Sequence, residues 1–304
     1  LENIGVMFDF LRSKRKVKAI IQDFQPQVAV GVGGYASAPT LNAAYSMGIP
    51  CLIQEQNSYA GVTNRSLAKK AQKICVAYSG MERFFPADKI IMTGNPVRQN
   101  LLENQTSQEE ARQSFGLEPD KKTVLIVGGS LGARTVNESV LAHLDDIRKS
   151  NVQFIWQTGK YYSQSISEAL EKSEAVPNLK VMDFIGCMDY AYAAADLVVS
   201  RAGASSISEL CLLGKPCVLV PSPNVAEDHQ TQNALALSSK DAAIFVADKE
   251  AKEKLVQTAL ETVTNDERLL SLSENVKKLA FLNSSDIIAE EVYKLAVEYK
   301  KRNN

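Results

Sequence analysis

Residues 123–140 read TVLIVGGSLGARTVNESV, and the parsing of that stretch decides the fold. The run 124–127 is short, uncharged and rich in β-branched residues, the composition of a strand buried on both faces. From Ala133 onward the apolar residues recur at helical spacing. Between strand and helix, Gly128, Gly129 and Ser130 form a turn whose missing Cβ atoms let main-chain N–H groups approach a ligand. The helix N-terminus behind the turn adds partial positive charge, so a phosphate is the guest it suits.

The same pattern runs outward in both directions. Short apolar runs recur at 28–32, 51–54, 74–77, 90–93, 152–156, 179–182, 197–200, 217–220 and 243–246, with segments of helical period such as 205–213 and 249–263 between them. This alternation predicts parallel sheets, because crossover helices are the short way to join parallel neighbours. The polar stretch ENQTSQEE at 103–110, preceded by GNPVR, has linker composition and leaves four strands before it and six after. The expected architecture is α/β, with one domain over 1–102, a second over 103–282, and a long amphipathic helix in 283–304 closing the chain. Ligands in such sheets sit at the carboxyl ends of strands, against helix N-termini.

Composition narrows the function classes. At 304 residues and 45% hydrophobic, the chain is long enough to bury two ordinary cores. Lys+Arg 34 against Asp+Glu 35 leaves a net charge of -1, so there is no global nucleic-acid footprint and no nucleic-acid partner is expected. The five cysteines contain no C-x-x-C pair and sit mostly in apolar segments, which reads as reduced core residues of a cytosolic protein. No apolar run approaches the ~20 residues that span a bilayer, and no signal peptide opens the chain. Leu1 begins inside a helical pattern without a Met, as a fragment or processed product would.

Three strand-to-helix junctions share one chemistry: VAVGVGGYASAPTL with Gly33, Gly34 and Tyr35, the stretch around Gly128 and Gly129, and DLVVSRAGASSISEL. A tight turn needs glycine for backbone reasons alone, but three such turns in two domains point to phosphate-bearing ligands. In the third, Ser205 or Ser206 can cap the helix, and Glu209 falls about one turn in. A carboxylate there either accepts hydrogen bonds from the cis hydroxyls of a ribose or simply complements the helix dipole.

Another strand runs into LIQEQNSYAGVTNRSL, which holds Glu55, Gln56, Asn57 and Asn64. These suit a sugar or acceptor hydroxyl, with Glu55 a candidate general base, or they are ordinary turn residues. Arg98 in GNPVR offers a phosphate or base contact, and His229 and Gln230 open a helix in NVAEDHQTQNA. There is no D-x-D or other carboxylate cluster with metal spacing, so helix dipoles and N–H groups rather than Mg²⁺ are expected to carry a diphosphate's charge. A P-loop motif is also missing.

In order along the chain, GVGGYASAP, EQNSYAGVTNR, GNPVR, GGSLGA, RAGASSISEL and DHQTQNA closely resemble the MurG family of peptidoglycan glycosyltransferases. The resemblance covers nearly the whole chain. It implies the GT-B fold, two Rossmann-like parallel-sheet domains facing across a cleft, with the last helix returning to the first domain. The activity it implies is transfer of GlcNAc from UDP-GlcNAc to the C4 hydroxyl of undecaprenyl-diphospho-MurNAc-pentapeptide, converting lipid I to lipid II by single displacement with inversion, without cofactor or metal. By similarity, Ser130 meets the diphosphate, the Ile185 backbone the uracil, and Ala204, Ser205, Ser206, Ile207 and Ser208 the phosphate and ribose region. Glu209 takes the ribose hydroxyls and Gln230 the sugar hydroxyls, while Asn57 and Arg98 match further donor positions. Gly33, Gly34, Tyr35 and Asn64 fall on the acceptor side.

The sequence departs from the family in three places. The family's glycine-rich first loop, with a His proposed to assist catalysis, has no counterpart before Leu1; Gln54 stands where many members have His, and Leu131 where many have Gln. That leaves Glu55 as the ionisable group of its segment. A lipid-borne acceptor implies a peripheral place on the cytoplasmic face of the bacterial membrane. Met7, Phe8, Phe10 and Leu11 beside Arg12, Lys14, Arg15, Lys16 and Lys18 have the composition of an interfacial basic helix. Alternative readings are another GT-B enzyme using a UDP-sugar, such as a glycolipid glycosyltransferase or a UDP-GlcNAc 2-epimerase, or a non-catalytic nucleotide-sugar-binding protein.

Overall fold

The structure, a computed structural model, describes the backbone of residues 2–303 and their side chains except those of residues 2–8, 10, 11 and 226. The chain forms two compact units, Leu1–Pro96 with Phe281–Asn304, and Val97–Ala280. The first holds a parallel sheet in the order β1 (Ala29–Gly31), β2 (Cys51–Glu55), β3 (Lys73–Val76), β4 (Ile90–Met92). The second holds β5 (Thr123–Val127), β6 (Gln153–Gln157), β7 (Leu179–Met182), β8 (Leu197–Ser200), β9 (Cys217–Leu219) and β10 (Ile244–Phe245), in the spatial order β10-β9-β8-β5-β6-β7. Every pairing is parallel. All ten apolar runs are strands.

The centre of the second sheet is apolar because helices cover both of its faces. Val124, Leu125, Ile126, Phe154, Ile155 and Trp156 are at most 1% exposed. A polar pair pins the helix Arg134–Ala142 to β6: Trp156 Nε1 donates to Asn137 Oδ1 at 3.0 Å, and Asn137 Nδ2 donates to the Thr158 carbonyl at 2.8 Å. That helix is the one that follows the glycine turn, so its fixed position also fixes the turn. The closing helix Ser284–Asn303 belongs to the first unit, where Leu295 packs with Leu52 and Cys75.

The stretch 103–110 is not a linker. Ser107 accepts from the Glu110 N–H, and the Glu110 carboxylate accepts from the Ser107 N–H. This capping box starts the helix Gln108–Ser114, so the polar composition terminates a helix rather than loosening the chain. The second unit already begins at Val97. Just before it, Gly94 has φ +72, and a Cβ there would stand 2.3 Å from Cβ of Phe281 and 2.8 Å from Oγ of Ser284. Gly94→Ala is therefore expected to cost the first unit roughly 3 kcal/mol through overpacking and left-handed strain. A urea midpoint indistinguishable from wild type would show that the 281–284 segment yields without cost.

Candidate active site

The strand order of the second sheet reverses at β5, which pairs with β6 on one side and β8 on the other. At such a point the loops leaving adjacent strands run to opposite faces and open a crevice at the carboxyl ends. Val127 is in register with Ser200, so the turn starting at Gly128 and the loop starting at Arg201 leave the sheet side by side.

The turn is closed by Gly132 N–H donating to the Gly129 carbonyl at 2.9 Å. Gly129 and Gly132 have φ of +87 and +86. A Cβ on Gly132 would lie 2.2 Å from the Thr158 carbonyl oxygen, and one on Gly128 would lie 2.6 Å from the Ala133 nitrogen. The turn is thus pressed against its own helix and against the loop after β6. That loop holds it from outside: Gln157 Nε2 donates to the Gly129 carbonyl at 3.1 Å and the Lys160 N–H to the Ser130 carbonyl at 3.3 Å. Ser130 remains exposed at the tip.

Across the crevice, Gly203 precedes the helix Ala204–Leu213. Ser205 and Ser206 do not cap it, because the helix begins at Ala204 and both serines lie in its first turn. No side chain caps this helix or Arg134–Ala142, so their first-turn amides remain available to an anion. Both helix starts, with Ser206, Ser222 and Gln230, line a cavity of about 630 Å³. Ile207 is buried, and the Ser208 hydroxyl donates back to the Ala204 carbonyl at 2.9 Å, so Ser206 is the member of the 204–208 run whose residue reaches this cavity. Gln230 turns its nitrogen outward, since its Oε1 accepts from the Ser222 N–H at 2.9 Å.

Three cavity residues went unread in the sequence. Arg201 donates through Nη1 to Asp248 Oδ1 at 2.5 Å and to the carbonyls of Val220 and Pro221, while Thr135 donates to Asp248 Oδ2 at 3.0 Å. The signal was present for one of them: a cation directly after a buried strand, as Arg201 is, must be paired or must face a ligand.

Glu209 lies about a turn and a half into its helix with its side chain 12% exposed. Its Oε1 accepts from Arg98 Nε at 3.2 Å and Nη2 at 3.0 Å, and its Oε2 accepts from the Tyr192 hydroxyl at 2.9 Å. Burial first, and then the charge and hydrogen bond of Glu209, hold the Tyr192 phenol well above the ordinary tyrosine range. Ile185 is buried at 1% exposure, and the surface of its loop is offered by Phe184 and Gly186 instead.

In the first unit, Gly33, with φ +85, precedes the helix Gly34–Ser46, and Tyr35 in its first turn is 98% exposed. The side chain of Asn64, itself buried, lies against Gly33. Glu55, read as a candidate base, is 2% exposed, and both its oxygens are engaged. Oε1 accepts from the Asn57 N–H at 3.0 Å, and Oε2 accepts from the Gly61 N–H at 3.1 Å and from Asn64 Nδ2 at 2.8 Å. It anchors the 55–64 loop rather than presenting a lone pair to a substrate. Gln54 is likewise engaged, donating to Asn95 Oδ1 at 2.8 Å and accepting from Gln56 Nε2 at 2.5 Å. Among the described residues no group of three His, Cys, Asp or Glu is placed to hold a metal ion.

Comparison with known proteins agrees with this geometry. The glycosyltransferase family 28 C-terminal domain matches residues 123–290, and the N-terminal domain of the same family matches residues 1–76. A Bacteroides fragilis protein named UDP-N-acetylglucosamine–N-acetylmuramyl-(pentapeptide) pyrophosphoryl-undecaprenol N-acetylglucosamine transferase is 63% identical over 97% of this chain and 78% of its own length. A Porphyromonas gingivalis protein of the same name is 54% identical over all of this chain and 80% of its own. Among solved structures, Acinetobacter baumannii MurG superposes with a TM-score of 0.76 at 28% identity, covering 94% of this chain and 80% of that one. A UDP-GlcNAc 2-epimerase from Neisseria meningitidis, at 17% identity and a TM-score of 0.68 over 94% of this chain and 81% of its own, shares the fold. Two parallel-sheet α/β units, the glycine turns in their places and matches of this extent lead to one assignment: the chain belongs to glycosyltransferase family 28, with the GT-B fold.

Proposed function

We propose that this chain is an inverting hexosyltransferase that moves GlcNAc from UDP-GlcNAc to the C4 hydroxyl of undecaprenyl-diphospho-MurNAc-pentapeptide, making lipid II from lipid I in peptidoglycan synthesis. The observation that carries this reading is the cavity of the second unit, where two uncapped helix N-termini, each led by glycine, flank space for a diphosphate. Relatives 54–63% identical bear the name of that transferase. In this reading Ser130 and the first-turn amides take the diphosphate, Glu209 the ribose hydroxyls, and the free nitrogen of Gln230 the sugar hydroxyls. As the C4 hydroxyl attacks the anomeric carbon, the bond to the β-phosphate oxygen breaks. The amides and helix dipoles, already in place, offset the charge that gathers on UDP.

The acceptor's lipid brings the chain to the cytoplasmic face of the bacterial membrane as a peripheral protein. No helix among the described residues is long and apolar enough to cross a membrane. The N-terminal helix Glu2–Phe24 supplies the contact, with exposed Arg12, Arg15 and Lys16 toward anionic headgroups. The side chains of Met7, Phe8, Phe10 and Leu11, assigned to the same contact, lie outside the described residues.

The test is transfer of labelled GlcNAc from UDP-GlcNAc to a lipid I analogue without added divalent metal. A labelled disaccharide-lipid product is expected, with kcat/KM lowered on the order of a hundredfold in Glu209→Gln. Conversion of UDP-GlcNAc to its C2 epimer with no label on the acceptor would overturn the proposal.

A further inference from the structure

Glu209 has two partners of different kinds. Tyr192 sits in the helix Met188–Ala194 and is 5% exposed, so its ring is held by the protein interior and its hydroxyl has one direction in which to point. Arg98 reaches the same carboxylate from a side chain 54% exposed. A solvent-exposed guanidinium exchanges a carboxylate for water at little cost, whereas a buried hydroxyl that loses its acceptor has no water to replace it. One partner is therefore permanent and the other replaceable.

We propose that Tyr192 is a positioning residue for nucleotide recognition: its hydroxyl fixes Oε2 of Glu209, while Arg98 occupies Oε1 as an exchangeable stand-in for the ribose cis-diol of the incoming nucleoside diphosphate. This rests on the reading of Glu209 as the ribose acceptor. Each carboxylate oxygen offers two acceptor positions. With Tyr192 on one position of Oε2, departure of Arg98 leaves both positions of Oε1 and one of Oε2, enough for two adjacent hydroxyls. Without the tyrosine hydroxyl, the last torsion of the glutamate is broad and the carboxylate plane is not set before the ligand arrives. Because the phenol is held above its ordinary titration range by burial and by Glu209, it stays a donor across any working pH. The helix Met188–Ala194 follows the loop that carries Phe184 and Ile185, so the tyrosine also ties the ribose acceptor to the segment assigned to the base.

Calorimetric titration of the 304-residue chain with UDP and with 2′,3′-dideoxy-UDP tests this, using wild type, Tyr192→Phe, Arg98→Ala and Glu209→Gln. Wild type is expected to prefer UDP on the order of a hundredfold, and Glu209→Gln to lose that preference. Tyr192→Phe, which keeps the ring, is expected to bind UDP about tenfold more weakly while its affinity for the dideoxy nucleotide stays unchanged. Arg98→Ala is expected to keep the preference within about threefold of wild type, as loss of an exposed contact should. The dideoxy nucleotide reports an intact site, so equal losses for both ligands in Tyr192→Phe would mean a structural role and overturn the proposal. Wild type binding both nucleotides equally would overturn the ribose reading of Glu209 itself. A preference lost in Glu209→Gln but kept in full in Tyr192→Phe leaves that reading standing and removes Tyr192 from it. A preference lost in Arg98→Ala and kept in Tyr192→Phe would reverse the two roles.

Discussion

Alanine at Gly132 is expected to weaken UDP binding about a hundredfold, a loss of about 2.7 kcal/mol. Two costs fall on the same residue. Its φ of +86 is a conformation L side chains rarely adopt, and the added Cβ would stand 2.2 Å from the Thr158 carbonyl oxygen and 2.8 Å from the Tyr162 ring. The first costs about 1–2 kcal/mol by itself. The second cannot be relieved by rotating a side chain, because the obstacle is backbone on the loop after β6. The turn must move away, and it takes the Ser130 tip with it. Gly129 is the control. It has φ +87 but nothing within 4 Å of its missing Cβ, so Gly129→Ala carries only the backbone cost and is expected to lose less than tenfold. Titration of both variants with UDP separates the cases, and equal affinities for the two would show that contact with the neighbouring loop does not shape the site.

Replacing Arg112 with methionine is expected to destabilise the second unit by about 3–5 kcal/mol, the usual consequence of leaving a buried charge unpaired. Arg112 and Asp196 have side chains 7% and 12% exposed and meet at 2.6 Å. The guanidinium also donates to the carbonyls of Ala194 and Pro119, at 3.2 and 2.6 Å, and Asp196 accepts from the Thr123 N–H at 2.7 Å. The pair therefore joins the helix Gln108–Ser114 to the starts of β5 and β8, the two strands whose carboxyl ends carry the site. Attraction within the pair is offset by the desolvation of both ions, so the double replacement Arg112→Met with Asp196→Asn is expected to recover part of the loss. Trp156, the single tryptophan, lies in the core of this unit and reports its unfolding in urea. A shift in stability below about 1 kcal/mol for Arg112→Met would mean that water or Lys122, 3.9 Å from Asp196, takes over the charge.

The elements of this protein were legible because their causes are local. Strands buried on both faces must be short apolar runs, and a turn that presses on its own helix must be glycine, as at Gly128. The errors also have local causes. Polar composition at 103–110 signals a linker or a capping box equally well, and the S-x-x-E spacing of Ser107 and Glu110 was the cue that separates them. Ser205 and Ser206 were read as caps because serine favours that position, but with Gly203 in the extended region the helix starts at Ala204.

The sequence by itself determined the alternation of ten strands with helices, the glycine turns where anions fit and the carboxylate one turn into a helix. Each depends on residues within a few positions of one another. Only the tertiary structure decided the order of the second sheet, because crossovers of similar length can place a strand on either side of β5. It also decided what each carboxylate faces. Glu55 and Glu209 look alike as acids near strand-to-helix junctions, but Glu55 is enclosed by Asn57, Gly61 and Asn64 of its own loop. Glu209 instead meets Arg98, 111 residues away, and Tyr192, 17 residues away, and one of the two is exposed enough to leave. Partners so far along the chain are chosen by packing, which minimises buried unpaired charge over the whole unit, and no window of sequence contains that condition.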